Sequence, residues 1–411
     1  MHVLIVGGGV VGLACAHALA GRGAEVTVCE AGTLGGGSTG RAAGGIRTQF
    51  STRVNVELSL ASVPVWESFA DDFGVDIDYR RSGYLFLART EETAAAFREN
   101  VAMQTEAGAP SRVLSPAEAA EYLPELRTES FVAATFSAAD GVADPHSAVQ
   151  GYADAARAAG VDIRTKTPVT DLARVGDGGS DGGSDGGSDD DSSDDGSADA
   201  VATPDAGGWR AETPDGSIDA DAVVVAAGAW SGRVASLAGV DLPIAPRRRQ
   251  IAVVEPEGDL PADAPLTIDL DTGAYFRPER EGTAVVGGHF SETDPDVDPD
   301  RFDESMDVEW AVEATERADD AAAYFGPETR IRNGWAGLYA VTPDHHAILD
   351  AVEPGLVVAA GFSGHGFQHA PATGEAVADL CLGEDACEVD VSALSLDRFE
   401  SGETLRERNV A

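Results

Sequence analysis

Lysine is almost absent from this chain of 411 residues. Lys166 is the only lysine, and the other basic residues are arginines, so any reaction that needs a lysine amine has one candidate. Acidic residues outnumber basic residues by 71 to 28, and the resulting net charge of −43 excludes nucleic acid and anionic membranes as partners by repulsion. This balance favours a salt-rich cytoplasm and a halophilic archaeal source; an acidic protein from a GC-rich genome is the alternative.

Cysteines and long apolar runs are also scarce. The four cysteines have no spacing that is typical of zinc sites, so we expect no metal and a reducing compartment. No basic region precedes the apolar stretch 3–20, and no other run approaches the length of a membrane span. We therefore expect a cytoplasmic protein without membrane insertion.

Strands alternate with helices at both ends of the chain, and the middle is rich in predicted strands. Residues 2–6 predict a buried parallel strand, followed by a glycine turn, a helix and a second strand that ends at Glu30. Residues 161–175 predict one further strand, and residues 247–290 predict several. The pattern indicates an α/β protein with a Rossmann-like dinucleotide-binding domain and an inserted antiparallel β-sheet domain.

The predicted domains are discontinuous in sequence. The cofactor-binding domain comprises residues 1–75, 145–240 and 331–390, and the substrate domain comprises residues 76–144 and 241–330. Residues 176–208 are acidic and of low complexity, with too few apolar side chains to order a core. We predict a long solvated hairpin loop there; a regulatory acidic arm is the alternative.

The glycines after the first strand fit the pattern G-x-G-x-x-G. Gly7 permits a tight turn, Gly9 lets a pyrophosphate approach the backbone, and Gly12 allows the helix to pack closely on the strand. The helix begins with Val10 and Val11, where free N–H groups and the positive end of the dipole favour phosphate. The pattern predicts dinucleotide binding; an ordinary glycine-rich strand–helix turn is the alternative.

Glu30 strengthens this prediction. It lies eighteen residues after Gly12 at the end of the second strand, where a carboxylate can bind a ribose diol and would repel a 2′-phosphate. A helix does not follow soon after Glu30, as it usually does in NAD enzymes. The glycine-rich stretch 35–50 intervenes instead, which favours FAD over NAD.

Six motifs follow one another in the chain and together identify a family resemblance. After G-x-G-x-x-G with Glu30 come GSTGRAAGGIR at 37–47, AAGAWS at 226–231, GAYFRPE at 273–279, GWAGLYAVTPDHHAILD at 334–350 and GFSGHGF at 361–367. On these motifs the chain resembles the D-amino-acid oxidase/sarcosine oxidase superfamily of FAD-dependent oxidoreductases over nearly its whole length. The strongest likeness is to the group of the sarcosine oxidase β-subunit, dimethylglycine dehydrogenase and dye-linked proline dehydrogenase.

The resemblance implies a substrate site. Arg47 aligns with an arginine that binds the substrate carboxylate, a role that suits a bidentate guanidinium; pairing with a structural acid is the alternative. Tyr275 and Tyr339 are implied to close the substrate cage, although both could be core tyrosines. His289 resembles a histidine near the flavin or is a surface histidine. Gln368 stands at a lysine position of the family.

The resemblance also implies an FAD-binding domain of Rossmann type and its contacts. A helix beginning near Gly366 would direct its positive end at the flavin, where the reduced form carries negative charge. His365 faces the ligand or is a packed ring. The further implied FAD contacts are Ala31, Ser38, Thr39, Arg41, Val169, Gly228, Trp230, Gly361, Gly364, Phe367 and Gln368.

Three positions depart from the family pattern. Val285 replaces the lysine that promotes reaction with oxygen in monomeric sarcosine oxidases, and Gln368 replaces a second family lysine. The cysteine that tethers FAD in those enzymes would fall at Gly337, and Lys166 lies in a strand away from these motifs. We therefore expect non-covalent FAD, slow reaction with O₂ and an electron acceptor other than O₂.

These observations predict an FAD-dependent amine dehydrogenase or oxidase. Its substrate would be a small secondary or N-methylated amino acid, bound by its carboxylate and oxidised at the C–N bond by hydride transfer to flavin. One alternative is a flavoprotein subunit of a hetero-oligomeric dehydrogenase, and another is a D-amino-acid or 2-hydroxy-acid enzyme of the same superfamily. Homo- and hetero-oligomers both remain open.

Overall fold

The computed structural model describes residues 1–175, 207–291, 293–402 and 405–409, so the predicted hairpin loop at 176–208 lies outside the described residues except at its last two. The strands are β1 His2–Val6, β2 Glu25–Glu30, β3 Gly45–Ile46, β4 Tyr84–Ala88, β5 Arg112–Leu114, β6 Ala133–Ser137, β7 Gly141–Val142, β8 Asp162–Thr165, β9 Asp171–Arg174, β10 Trp209–Thr213, β11 Gly216–Ala220, β12 Ala222–Val225, β13 Ala245–Glu255, β14 Leu266–Asp269, β15 Ala274–Pro278, β16 Ala284–Gly288, β17 Arg330–Val341, β18 Ile348–Glu353 and β19 Leu356–Ala360. The helices are α1 Val10–Gly21, α2 Arg53–Phe73, α3 Glu91–Glu106, α4 Pro116–Ala119, α5 Pro145–Ala158, α6 Ser231–Leu237, α7 Val308–Ala321, α8 Gly366–Leu382 and α9 Arg398–Ser401.

The first sheet has the order β18-β19-β12-β1-β2-β8, and all its pairs are parallel except β18 with β19. Its central strand β1 is covered on both faces, and alternate side chains of a strand point to opposite faces. Val3 and Ile5 pack towards α1 and α8, whereas Leu4 and Val6 pack towards β9–β11. The predicted βαβ opening is therefore present.

The second sheet has the order β17-β13-β16-β15-β14-β4-β6-β5. Its pairs are antiparallel except β14 with β4, so the predicted antiparallel sheet is in fact a mixed sheet. Alternation on β15 gives this sheet two different faces: Phe276 packs on the core beneath α7, and Tyr275 points to the other side. Both sheets lie in a mixed α/β fold.

Residues 161–175 differ from the single strand that their apolar pattern predicts. They form two strands in different sheets, since β8 extends the first sheet and β9 pairs with β10. The chain turns between them at Lys166, which has φ 57° and donates its backbone N–H to Gly32. The lysine thus lies beside the segment after Glu30, a correction to its expected distance from the cofactor motifs.

The division into two discontinuous domains stays a proposal, with one boundary moved. Residues 331–341 are expected in the cofactor-binding region 331–390, but β17 pairs along its length with β13 of the second sheet. Among the described residues, no helix is both long and apolar enough to cross a membrane.

Two glycines let α1 approach its neighbours closely. A Cβ on Gly12 would lie 2.0 Å from the carbonyl oxygen of Gly7, and a Cβ on Gly374 of α8 would lie 2.7 Å from that of Ala14. Both distances are below any tolerable contact with backbone, so each position requires hydrogen in place of a side chain. The strand–turn–helix unit and the α1–α8 contact both depend on these glycines.

We predict that Gly12→Ala destabilises the protein by about 1–3 kcal/mol and lowers its FAD content, because the added methyl must push α1 off the turn at Gly7. Gly21→Ala in the same helix is the matched control. Nothing lies within 4 Å of its added Cβ, and alanine raises stability there by up to about 1 kcal/mol. Urea unfolding and the ratio of flavin to protein absorbance measure both effects. Equal stability of the two variants would contradict the packing argument.

Candidate functional site: a cavity between the two sheets

A cavity of about 890 Å³ lies between the first and second sheets. It begins at the carboxyl ends of β1 and β2, follows the segment 36–45, and reaches the face of the second sheet that carries Tyr275. Almost every residue that the sequence predicted for the site lines it. The residues it brings together are Gly7, Gly9, Val10, Val11, Glu30, Ala31, Ser38, Thr39, Arg41, Arg47, Val169, Gly228, Trp230, Tyr275, Tyr339, Gly361, Gly364, His365, Gly366, Phe367 and Gln368.

The glycine turn leaves room for a cofactor beside the N terminus of α1. Gly7 has φ +117°, and a Cβ there would lie 2.4 Å from the Ala226 carbonyl oxygen. Gly9 precedes α1 in extended conformation, and its added Cβ would meet only Thr39 Oγ1, at 3.3 Å. Gly12 does not line the cavity. It lies within the first turn of α1 and supports the site through its close contact with Gly7. The turn therefore fits a pyrophosphate held by backbone N–H groups.

Glu30 closes the end of the cavity at β2. Its two carboxylate oxygens accept hydrogen bonds from the backbone N–H groups of Gly8, at 2.8 Å, and Gly32, at 2.7 Å. These bonds fix the carboxyl group at the cavity wall, where its oxygens have further lone pairs that can accept from hydroxyl donors. The arrangement fits a ribose between Glu30 and Val169.

Arg41, an implied FAD contact, has its guanidinium bound by protein groups. Its guanidinium donates to the Gly36 carbonyl at 2.6 Å and forms an ion pair with Glu304 at 2.6 Å. Its aliphatic stem fills the space beside Gly337, because a Cβ on that glycine would lie 2.9 Å from Arg41 Cβ. The stem lines the cavity, while Glu304 already compensates the charge.

The turn before α8 brings backbone to the cavity. Gly361, Ser363 and Gly364 have φ of +76°, +50° and +99°, and α8 begins at Gly366 as the sequence predicted. Glycine adopts this region without cost, and two glycines here flank a serine that must adopt it too. The helix N terminus consequently points at the cavity, as stabilisation of negative charge requires.

His365 is a packed ring by its hydrogen bonds. Its Nε2 lies 3.0 Å from the His345 carbonyl oxygen and its Nδ1 lies 3.3 Å from Nδ1 of His369, whose Nε2 contacts Ser59 at 2.9 Å. Burial lowers the pKa of His365 to about 3, so the imidazole is neutral. Both nitrogens are occupied by protein, and the ring therefore offers no base to a ligand.

Arg47 lies at the far end of the cavity and is buried. It donates from Nη1 to the Gln49 carbonyl at 2.8 Å and from Nη2 to the Asn409 carbonyl, and its guanidinium stacks 4.0 Å from the centre of the Phe50 ring. Its backbone N–H donates to Gln368 Oε1 at 2.7 Å. Two of five guanidinium donors are used, which leaves three for a ligand.

Three tyrosines surround the same end of the cavity. Each rests on a glycine that has no room for a side chain. The pairs, with the distance from an added glycine Cβ to the nearest tyrosine atom, are Tyr84 on Gly45 (1.9 Å), Tyr275 on Gly287 (2.2 Å) and Tyr339 on Gly364 (2.2 Å). Burial raises the pKa of all three phenols, so they remain protonated donors. Their hydroxyls bond to no other residue in the described ranges.

Besides Gly12, His289 is the other predicted residue that the structure does not bring to the cavity. The chain turns at Gly288, where φ is +144°, and the imidazole then lies 3.9 Å from Asp294. Burial and the charge of Arg249 lower the pKa of His289. Arg249 itself lines the cavity and binds Asp294 through two hydrogen bonds of 2.8 Å. The expected position near the ligand belongs to Arg249, not His289.

Sequence reasoning missed the carboxylates that hold the loop of Arg47. Asp140, between β6 and β7, is fully buried and accepts hydrogen bonds from Thr48, Gln49 and Ser137. Burial raises the pKa of Asp140 to about 6 despite these bonds. Glu407 is the second such carboxylate. No local pattern marks either residue, although the arginine run before Gln250 could have indicated Arg249.

Comparisons with known proteins agree with this geometry. A family model described as FAD dependent oxidoreductase (DAO) matches residues 2–380. FAD-dependent oxidoreductase domain-containing protein 1 of Xenopus laevis is 33% identical over 442 residues, covering 99% of this chain and 84% of that protein. Glycine oxidase of Geobacillus kaustophilus (strain HTA426) is 28% identical over 411 residues, covering 96% of each.

A solved structure shares nearly the whole fold. L-proline dehydrogenase from P. horikoshii superposes with a TM-score of 0.82 at 30% sequence identity, covering 98% of this chain and 99% of that chain. These comparisons confirm the predicted mixed α/β fold and FAD as the cofactor. Within the described residues, no group of three or more potential ligands is placed to hold a metal ion.

The pH dependence of stability tests the burial of Asp140. Between about pH 4 and pH 6 the folded protein binds more protons at Asp140 than the unfolded chain, so this contribution to the free energy of unfolding falls as pH rises. The rise in the pKa of Asp140 to about 6 corresponds to roughly 3 kcal/mol at most. The wild type should thus lose stability relative to Asp140→Asn between about pH 4 and pH 7, measured by urea unfolding in high salt.

Asp71→Asn, at an exposed position of α2, is the control, and its stability relative to wild type should not follow this trend. If the wild type instead gained stability relative to Asp140→Asn as pH rises, the pKa of Asp140 would be lowered by its hydrogen bonds and not raised by burial.

Proposed function

This chain belongs to the DAO family of FAD-dependent oxidoreductases, and from that premise we propose that it oxidises the C–N bond of a small secondary or N-methylated amino acid. Substrates of the sarcosine, dimethylglycine or proline type would fit. FAD, when bound without a covalent link, would supply the capacity to accept a hydride from the carbon beside the amine nitrogen. The chain's own part is to bind, orient and desolvate the substrate.

The contrast among the arginines of the cavity carries this proposal. Arg41, Arg233 and Arg249 each form an ion pair with an acidic residue. Arg47 alone has no carboxylate oxygen within 4.0 Å in the described part of the chain, and neutral backbone carbonyls anchor it instead. A buried guanidinium without a contact anion is suited to a ligand carboxylate, which argues against a structural ion pair.

The three tyrosines indicate which other substrate groups the cavity can accommodate. Tyr84, Tyr275 and Tyr339 give aromatic walls and protonated hydroxyls, which can orient a carboxylate or amine but cannot deprotonate it. His365 has no free nitrogen. Since no base among these side chains is available, the substrate amine would react in its neutral form, and positioning would account for most of the rate. An amino acid with a small apolar body fits such walls.

The names of relatives support the amine class. Glycine oxidase and L-proline dehydrogenase are named for amino acids whose amine nitrogen lies next to the oxidised carbon. Two alternatives remain: a flavoprotein subunit that needs a partner for turnover, and an enzyme for D-amino acids or 2-hydroxy acids. Anaerobic flavin bleaching with a panel of sarcosine, dimethylglycine, L-proline, glycine, D-alanine and lactate separates the second alternative from the amine proposal. Bleaching by lactate-like acids alone would overturn the amine proposal.

Arg47→Ala should raise the substrate concentration needed for half-maximal flavin bleaching by about 10²-fold or more, because a buried charged contact to the carboxylate is lost. Arg47→Lys should recover only part of the loss, since an ammonium cannot reproduce the planar fork. Stopped-flow reduction under anaerobic conditions measures both. Arg210→Ala, which removes an exposed arginine paired with Asp219, is the control and should behave as wild type. Unchanged bleaching in Arg47→Ala would refute the role of Arg47.

The electron acceptor is proposed to be other than O₂. Val285 is 2% exposed and lines a second cavity of about 470 Å³, which shares residues 41–43 with the first. No lysine is found among the described residues that line either cavity. The position that resembles the oxygen-promoting lysine therefore presents an apolar side chain.

We expect substrate-dependent reduction of an artificial dye to exceed oxygen consumption by the wild type. Val285→Lys should raise the rate of flavin reoxidation by O₂, because a cation stabilises the negative charge that develops on oxygen. Val285→Met controls for side-chain length and should leave that rate unchanged. An oxygen electrode and stopped-flow reoxidation give the two rates. Oxygen consumption as fast as dye reduction in the wild type would show an oxidase.

A further inference from the structure

The segment 405–409 returns to Arg47 from the far end of the chain. Glu407 is fully buried and Asn409 is 4% exposed, although residues 405, 406 and 408 are exposed. The Asn409 carbonyl accepts from Arg47 Nη2, and its side-chain amide donates to the Gln49 carbonyl at 3.2 Å. This segment therefore supplies one of the two acceptors that anchor the guanidinium.

Glu407 holds both ends of this arrangement. Its carboxylate lies at the N terminus of α2 and accepts five hydrogen bonds. The donors are Ser51 N (2.8 Å), Ser51 Oγ (2.6 Å), Thr52 Oγ1 (2.8 Å), Asn55 Nδ2 (3.1 Å) and Asn409 N (3.0 Å). Burial opposes ionisation, but these bonds and the charge of Arg47 keep the pKa of Glu407 below its ordinary value. The carboxylate is charged and fully satisfied.

The two acceptors of Arg47 are thus tied to one carboxylate. Gln49 lies two residues before Ser51, and the Asn409 backbone N–H binds Glu407 directly. Glu407 itself does not line the cavity and makes no ion pair with Arg47 within the described residues. Its influence on a ligand can only pass through the segments that it fixes and through its charge.

We propose that Glu407 is a positioning residue for Arg47. It fixes the carbonyls of Gln49 and Asn409 so that the three unused donors of the guanidinium face the cavity. The inference rests on the proposed role of Arg47 as the carboxylate-binding residue, and it adds segment 405–409 to the substrate site. A ligand carboxylate then meets an arginine whose orientation is set before binding, which lowers the cost of association.

Carboxylate binding measures the proposal without turnover. Acetate is titrated into the FAD-loaded protein, and the change in the visible flavin spectrum gives its dissociation constant. Glu407→Ala should raise this constant roughly tenfold, as expected for loss of hydrogen bonds to a charged group. Glu407→Gln, which keeps the length and one of the two acceptor oxygens, should restore part of the binding. Glu400→Ala, an exposed acid on α9, is the matched control and should bind acetate as wild type does.

A double-mutant cycle separates positioning from a general loss of structure. If Glu407 acts through Arg47, Glu407→Ala has no further effect on acetate binding in the Arg47→Ala background. If the fold-changes of the two single variants instead multiply in the double variant, the inference is overturned, because Glu407 would then act independently of Arg47. FAD content and unfolding midpoint are recorded for every variant, so that loss of cofactor is not read as loss of acetate binding.

The outcomes distinguish this inference from the proposed function. If Arg47→Ala weakens acetate binding but Glu407→Ala does not, the positioning role is wrong and the role of Arg47 stands. If Arg47→Ala has no effect, the carboxylate-binding role fails, and the inference fails with it. Should Glu407→Ala not retain FAD, Ser51→Ala deletes one donor and leaves the charge in place. It should weaken acetate binding less strongly, again only when Arg47 is present.

Discussion

The loop 47–52 is held between two buried carboxylates, and the site depends on this arrangement. Asp140 binds its first half from the turn before β7, and Glu407 binds its second half from segment 405–409. Burying a carboxylate is costly unless hydrogen bonds satisfy it, so each acid tolerates few arrangements of its donors. The loop is consequently fixed from both sides, and Arg47 at its start takes the orientation that the two acids allow.

This arrangement explains how an acidic protein keeps one arginine available. Acidic side chains are abundant at the surface and pair with the arginines that reach the cavity rim, such as Arg249. Arg47 is protected from such pairing because its neighbouring acids, Asp140 and Glu407, have their oxygens directed at other donors. Their charges act on Arg47 through space without occupying its N–H groups. Arg47 thus keeps unused donors although two buried carboxylates lie near it.

The sequence predicted those parts of the molecule whose signal is local. The strand–glycine–helix opening, Glu30 and the turn before α8 occur within short stretches, and their spacing carries the geometry. The carboxylates could not be predicted, because Asp140 lies 92 residues from Thr48 and Glu407 lies 356 residues from Ser51. The sequence around a histidine does not show which groups its ring nitrogens bind in the fold. His289 was misplaced for a related reason, since a turn at one glycine decided its side.

The glycines beside the three tyrosines of the cavity could not be interpreted from the sequence alone. A glycine-rich stretch suggests flexibility or close approach to a cofactor, but Gly45, Gly287 and Gly364 each make room for a tyrosine ring. Of these, Gly364 has φ +99° and serves the turn as well, whereas Gly45 and Gly287 do not need a positive φ. Their requirement is steric and lies in another strand or segment. The shape of this end of the cavity therefore depends on the missing side chains as much as on the tyrosines, and a methyl group at any of these positions would displace a tyrosine ring that lines the cavity.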